Sequence, residues 1–429
     1  MYNPDRPDTP GRCRIPSLFS RAQATFNDFP RQFWVLVGGT LINSIGGGLI
    51  FPFLTLYARH RLGIPMTTVG LLLALNSAAG LAPQLAAGSL ADKYGRKVLM
   101  AVSLLCSSIS LLGLGLAHSL PAFAAMALLY GITGWPLYGP ASNAMVADLV
   151  EQGRRTQAYG LIRVVHNFGI IIGPSAGGFI IAYGSYLWLF TLSAALSLVF
   201  FAVTLLALRE TRPQLAAAAA DPHHEPQPGF GLILRDNAFL AFCATTMLLT
   251  VVYAQLTTTF PVYLRDERHI AENLWGLVMA LNAAMVVLFQ FPLTRLTDRY
   301  RRTVVLATGS LFYAMGFGAL GWPTEFAYFA LFVAVLTVGE MLIIPTANAF
   351  VADIAPEAMR GRYMGVFGLV WAMGYGLGPV TGGLIMDRLG GFYIWPATLV
   401  LCAFAAVAFL AMGSAVDQRM QSEIFRERS

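Results

Sequence analysis

Runs of about 20 predominantly apolar residues recur along the chain, and this recurrence limits the fold more than any other feature. They fall at 32–58, 68–90, 98–118, 122–147, 161–183, 187–208, 238–263, 274–294, 303–321, 327–350, 363–386 and 392–414. Inside a bilayer core about 30 Å thick every backbone N–H and C=O must be satisfied within the protein, so only helices and closed barrels cross it. The runs are too long for barrel strands and lack their polar–apolar alternation. Composition agrees: of 429 residues, 56% are hydrophobic and 12% charged, against roughly a quarter charged in soluble domains. The expected fold is an all-α membrane protein with 12 transmembrane helices.

The positive charges orient it. With the N-terminus in the cytoplasm, 23 of the 28 Lys and Arg fall on cytoplasmic segments, and only Arg59, Arg61, Arg265, Arg268 and Arg388 fall outside. Cytoplasmic loops carry such an excess, so both termini are expected in the cytoplasm of a multi-pass inner-membrane protein. The net charge of +6 is thus a topology signal, and no nucleic-acid partner is expected. Residues 1–30 hold no apolar h-region of a signal peptide. Trp34, Trp188, Trp275, Trp322 and Trp395 fall near span ends, where headgroup contact is expected. Cys13, Cys106, Cys243 and Cys402 form no paired framework or metal spacing, so neither metal nor cofactor is expected. No Walker loop, Gly-x-Ser-x-Gly, His-Glu-x2-His or dinucleotide fingerprint is present, and an enzyme is not expected.

The chain repeats itself at an offset of about 205 residues. Gly134-Trp135-Pro136, Pro140, Asn143-Ala144 and Val146-Ala147-Asp148 answer to Gly339-Glu340-Met341, Pro345, Asn348-Ala349 and Val351-Ala352-Asp353. Gly169-x3-Gly173-Pro174-x2-Gly177-Gly178 answers to Gly374-x3-Gly378-Pro379-x2-Gly382-Gly383. Parallel six-span repeats imply two pseudo-symmetric bundles with a site between them near the midplane. The expected division is a cytoplasmic tail (1–31), an N-terminal six-helix bundle (32–208), a cytoplasmic linker (209–237), a C-terminal six-helix bundle (238–414) and a second tail (415–429).

The loop after the second span reads Gly88-Ser89-Leu90-Ala91-Asp92-Lys93-Tyr94-Gly95-Arg96-Lys97. It resembles the signature loop of the major facilitator superfamily, with a weaker copy at Leu296-Thr297-Asp298-Arg299-Tyr300-Arg301-Arg302. The Gly169–Gly178 string resembles the motif of the 12-helix drug:proton antiporter branch. The resemblance implies the major facilitator fold and alternating access. It implies a cytoplasmic gate at Gly88, Asp92, Gly95, Arg96, Arg155, Asp298 and Arg302, and a hinge or seal at Gly169, Gly173, Pro174, Gly177 and Gly178. On physical grounds alone the loop bases also serve topology. The glycines, four residues apart on one helix face, equally serve tight packing. Two departures stand out: Asn43 replaces the acid many relatives carry in the first span, and the fourth span lacks the usual antiporter arginine.

Ionisable groups inside spans are costly and point to function. Glu340 is the one deep acid, ten residues from the cytoplasmic end of its span, or roughly 15 Å. Removal from water favours a carboxyl's neutral form and lets it exchange protons near neutral pH; a permanently protonated, hydrogen-bonded Glu is the alternative. Arg163, His166, Asn167 and Ile170 form a polar stripe at i, i+3, i+4 and i+7. Proton-coupling candidates are Glu340, His166 and Asp148, although Asp148 and Asp353 also suit charge pairing with Arg155 or Arg360. Substrate-cavity candidates are Asn43, Trp135, Arg163, Asn167, Gln255, Glu340 and Trp371. The expected function is proton-coupled efflux of hydrophobic or cationic small molecules, by a monomer using protons or another ion. The alternative is import or exchange of a sugar, peptide or organic acid on the same fold.

Overall fold

The computed structural model describes residues 29–151, 154–211, 233, 235–297, 299–355 and 359–427, with side chains for all of these except 156, 360–362 and 414–427. Most of the expected 209–237 linker, and Asp298, lie outside the described residues. The first half comprises α1 (Arg31–Leu62), α2 (Met66–Tyr94), α3 (Arg96–Leu116), α4 (Leu120–Thr133), α5 (Trp135–Leu149), α6 (Arg155–Tyr183) and α7 (Tyr186–Ala207). The second comprises α8 (Asn237–Ala254), α9 (Thr259–Asp266), α10 (Glu272–Thr297), α11 (Arg302–Ala319), α12 (Phe326–Ile354), α13 (Arg360–Leu389) and α14 (Ile394–Glu427). Among the described residues, eleven segments are long and apolar enough to cross a membrane, with α4–α5 and α8–α9 each forming one of them. The twelfth expected span is α11, whose 18 residues begin on Arg302.

The two broken spans have different causes. Between α4 and α5, Gly134 leaves helical geometry at ψ −121°, followed by Pro136, which has no N–H to continue the ladder. The Gly134 carbonyl accepts from the Leu137 and Tyr138 N–H groups at 3.2 and 3.1 Å and from Ser103 Oγ of α3 at 2.8 Å. The repeat carries Gly339-Glu340-Met341 at this point, without the proline, and α12 runs through unbroken. Between α8 and α9 the freed groups are caught by side chains. Gln255 Nε2 donates to Val251 O at 2.9 Å, and Thr258 Oγ1 donates to Ala254 O at 2.7 Å; Gln255 Nε2 also reaches Gly378 O of α13 at 2.8 Å. Broken backbone at membrane depth requires such replacements.

Glycines set the helix spacing. A Cβ on Gly169 would lie 2.5 Å from Ser44 Cβ, and one on Gly173 2.6 Å from Gly48 Cα, so α6 lies directly on α1. In the second half, a Cβ on Gly374 would lie 2.5 Å from Thr250 Cβ, and one on Gly378 2.5 Å from Ala254 Cβ, placing α13 on α8. The last glycine of each string faces the other half. A Cβ on Gly178 would meet Asn273 Cα of α10 at 2.9 Å, and one on Gly383 would meet Met66 O of α2 at 2.5 Å. Gly276 of α10 and Gly70 of α2 abut the backbones of Pro174 and Pro379 in return. The halves therefore meet through two equivalent helix pairs, α6–α10 and α2–α13.

Those pairs touch at one end only. Gly88 of α2 and Gly365 and Gly368 of α13 have nothing within 4 Å of where a Cβ would stand, and neither has Gly160 of α6. The bundle is sealed at the end carrying residues 59–67 and 383–391 and open at the end carrying residues 88–97. Trp275 and Trp395, expected at the headgroups, are instead 2% and 0% exposed. The Trp275 indole donates to Pro52 O across the halves at 3.2 Å. Trp188 and Trp322, at 67% and 60% exposed, match the expected surface position.

Leucine at both Gly178 and Gly383 is expected to wedge the sealed end apart without unfolding either half. Spin-label distances between residues 64 and 390 should lengthen by several ångströms; unchanged distances would refute the glycine contacts as the seal.

Candidate functional site

Between the halves lies a cavity of about 650 Å³. Its walls include Asn43, Ser44, Phe51, Asn76, Gln84, Tyr130, Trp135 and His166 from the first half, and Thr257, Thr258, Met279, Ala372 and Tyr375 from the second. Trp135 reaches it because the Gly134 break re-aims the start of α5, leaving the indole 56% exposed. Its ring centroid lies 6.2 Å from the His166 ring. His166 Nδ1 and Ser44 Oγ are hydrogen-bonded at 2.7 Å, tying α6 to α1. Phe51 and Tyr130 make a second aromatic pair at 5.8 Å. No Asp, Glu, Lys or Arg is among these lining residues; the polar groups that the wall offers are amides, hydroxyls and the imidazole, set among aromatic rings.

Of the cavity candidates, Asn43 and Trp135 are in the wall, as is His166, the proton-coupling candidate. Arg163 is exposed and outside the lining, as is half-buried Asn167. Gln255 is 3% exposed and spent on the α8–α9 break, with Thr259 Oγ1 donating to its Oε1 at 2.8 Å. Trp371 stands behind the wall, its ring 6.2 Å from that of Tyr375. Sequence reading missed Gln84, Tyr130 and Tyr375. Tyr130 had one signal, its place four residues before the Gly134 break.

Glu340 is buried and does not reach the cavity. Its Oε1 accepts from Tyr253 Oη at 3.0 Å and its Oε2 from Asn282 Nδ2 at 2.8 Å. Asn282 Nδ2 also donates to Thr337 Oγ1 at 2.8 Å, and Thr337 Oγ1 donates to Val333 O at 2.7 Å. Tyr253 stacks on Tyr313 at 6.1 Å and meets Tyr375 edge-on at 6.0 Å. Tyr375 belongs to the cavity wall, so one aromatic layer separates the carboxyl from the cavity.

At the open end, Arg96 is buried and paired with Asp92 at 2.8 Å and Asp148 at 3.1 Å. Asp148 also accepts from Thr211 Oγ1 at 3.0 Å. Arg155 does not pair with Asp148; it donates to the Ala147 and Val150 carbonyls at 2.8 and 3.2 Å. The equivalent acid, Asp353, pairs with Arg302 at 3.5 Å. Gly95 has φ +102°, which favours glycine. Its place lies against the Glu210 carboxylate, which accepts from the Arg96 and Lys97 backbone N–H groups at 2.8 and 3.1 Å. An anion there suits the positive start of α3. Asp92, 72% exposed, stands at the rim of this open end.

The sealed end holds a latch that sequence reading missed. Asp387 of α13 accepts from the Met66 N–H at 3.0 Å, the Thr67 N–H at 2.6 Å and Thr67 Oγ1 at 2.7 Å, capping α2 of the other half. Arg59 lies 2.9 Å from Asp266 and 3.5 Å from Asp387, and His60 lies 3.0 Å from Asp266. Arg265 adds a hydrogen bond to the Tyr186 hydroxyl at 2.9 Å.

The family model of the Major Facilitator Superfamily matches residues 36–274 and 256–427. The chain belongs to that superfamily. It is a multi-pass membrane transporter of small molecules and not an enzyme. It is 27% identical over 368 residues to the uncharacterized MFS-type transporter YhjO of Bacillus subtilis, covering 86% of this chain and 89% of that one. It is 26% identical over 431 residues to a Na(+), Li(+), K(+)/H(+) antiporter of Planococcus maritimus, covering 92% and 99%. It is 22% identical over 401 residues to the multidrug resistance protein MdtH of Escherichia coli O157:H7, covering 92% and 97%. Among solved structures, the nucleoside transporter NupG superposes with a TM-score of 0.71 at 18% identity, covering 89% of this chain and 99% of that one. A D-xylose–proton symporter superposes at 0.69 and 14% identity, covering 88% and 96%.

Replacing Asp387 with Ala removes the carboxylate that accepts three hydrogen bonds at the start of α2. A buried donor left unpaired costs about 1–3 kcal/mol, so the sealed end should open in a larger share of molecules. Labelling of a cysteine placed at Asn43 by a membrane-impermeant thiol reagent, in a background without native cysteines, should accelerate from the side of residues 63–65; an unchanged rate would refute the latch.

Proposed function

We propose that this transporter couples the export of hydrophobic or cationic amphipathic molecules to proton entry, alternating access to its central cavity across the inner membrane. The observation that carries this reading is Glu340. It is a single carboxyl buried mid-bundle, each oxygen held by one donor and separated from the cavity by one aromatic layer. A group so placed exchanges one proton as the packing around it changes, which is what gradient-driven transport requires. The names of MdtH and of the cation/proton antiporter support export and proton exchange.

In this reading both termini are cytoplasmic, the open end faces the cytoplasm, and cargo enters from there. Asp92, Arg96 and Arg155, with Asp298 and Arg302 in the second half, form the gate that closes this end when the Asp387 latch releases. The glycine strings act as the seal on the opposite side. One monomer with its linker suffices, and no cofactor takes part. His166, bonded to Ser44 in the wall, senses the cavity, whereas Asp148 is held in the Arg96 pair.

A second reading has one observation in its favour. The cavity wall offers amides and hydroxyls without a charge of either sign, which suits a neutral polar metabolite carried inward or exchanged. The names of the nucleoside transporter and the D-xylose–proton symporter, which share this fold, support such cargo.

The test is gradient-driven movement of a fluorescent lipophilic cation in proteoliposomes, wild type against Glu340→Gln. The expected result is accumulation driven by an imposed pH gradient, reduced at least tenfold in the variant while cation binding in detergent persists. Movement unaffected by the substitution would remove Glu340 from the coupling path. No movement in folded wild type would favour the metabolite reading.

A further inference from the structure

The hydrogen bonds around Glu340 are not interchangeable, and their arrangement identifies which oxygen can take a proton. Thr337 Oγ1 spends its hydrogen on Val333 O, so toward Asn282 it acts as acceptor. That orients the Asn282 amide, with Nδ2 directed at both Thr337 Oγ1 and Glu340 Oε2. Both amide hydrogens are then committed, and Oε2 faces a donor that has no lone pair to offer. A proton on Oε2 would meet an N–H. Oε1 faces a hydroxyl instead, and a hydroxyl both donates and accepts.

We propose that the coupling proton is carried on Glu340 Oε1 and that Tyr253 is the positioning residue that links it to the cavity by reversing its hydrogen bond. This rests on Glu340 being the coupling acid. In the ionised state Tyr253 O–H donates to Oε1. When a proton arrives, an Oε1–H bond forms and the carboxyl donates to the phenolic oxygen, while the phenolic hydrogen rotates away from the carboxyl. The phenol stays neutral throughout, and the only net change is one proton gained. Its ring meets Tyr375 of the cavity wall edge-on, so displacing Tyr375 disturbs the one partner of Glu340 that can change roles.

The titratable groups facing this site are Tyr313 from α11, Tyr375 from α13 and Tyr253 from α8; α10 supplies the Asn282 amide. No charged partner is among them. Cargo and proton thus occupy separate places, communicating through the tyrosine layer rather than competing for one carboxylate.

Infrared difference spectra of the purified full chain in lipid, recorded between acid and alkaline pH, test this without any cargo. A protonated-carboxyl C=O band is expected in wild type and absent in Glu340→Gln. In Tyr253→Phe, which keeps the ring, that band should move to higher frequency because the carboxyl hydrogen has lost its acceptor. In wild type a tyrosine C–O band, absent in Tyr253→Phe, should also shift between the two pH values as the hydroxyl changes from donor to acceptor. A Glu340 band unmoved in Tyr253→Phe would overturn the inference and leave the coupling acid standing. No band sensitive to Glu340→Gln would overturn both.

Discussion

Everything in this structure depends on how closely two helix backbones approach each other at the sealed end. In lipid there is no hydrophobic force to draw helices together, so association rests on dispersion and on hydrogen bonds that need short distances. Gly70 and Gly276 admit the Pro379 and Pro174 backbones directly, and Gly178 and Gly383 admit backbone from the opposite half. A methyl group at any of these positions would displace main chain. The charged network of Arg59, Asp266 and Asp387 sits over this contact and can form because the backbones below it already touch.

The spans and their repeat were legible because apolar runs and fixed spacings survive without knowledge of neighbours. The glycine strings were legible as a helix face, though which neighbour each glycine meets was not: Gly177 faces α1 while Gly178, one residue on, faces α10. Glu340 could be found because an acid at mid-span is rare. Its partners could not, since Tyr253 and Asn282 come from helices 87 and 58 residues away. Gln255 looked like a cavity residue for the same reason as Glu340, being polar and mid-span. The α8–α9 break then claims it. Asp387 drew no attention at a span end, and its role as a cap on α2 exists only because the chain folds back across 320 residues.

The repeat also shows where the two halves have parted. Trp135 and Glu340 are equivalent in sequence, each following the glycine at the centre of its span. In the first half Pro136 breaks the helix and turns the indole into the cavity. In the second, Met341 lets the helix continue, and the side chain stays behind the wall among Asn282, Tyr253 and Thr337. One residue, proline or methionine, thereby separates a position in the cavity wall from one shielded behind it. Two equivalent places in the repeat thus hold side chains in two different environments.

The uncharged wall of the cavity has a consequence for the energy source. Moving one elementary charge through a membrane potential is worth about 2.3 kcal/mol per 100 mV. With no fixed charge among the described lining residues, the cavity itself contributes nothing to that quantity as it swings between the two sides. The charge that moves is that of whatever is carried. Under the proposed exchange, a neutral cargo traded for one proton transfers a net charge and responds to voltage as well as to pH. A monovalent cation traded for one proton transfers none and responds to pH alone. The same protein would be voltage-driven or voltage-blind according to its passenger.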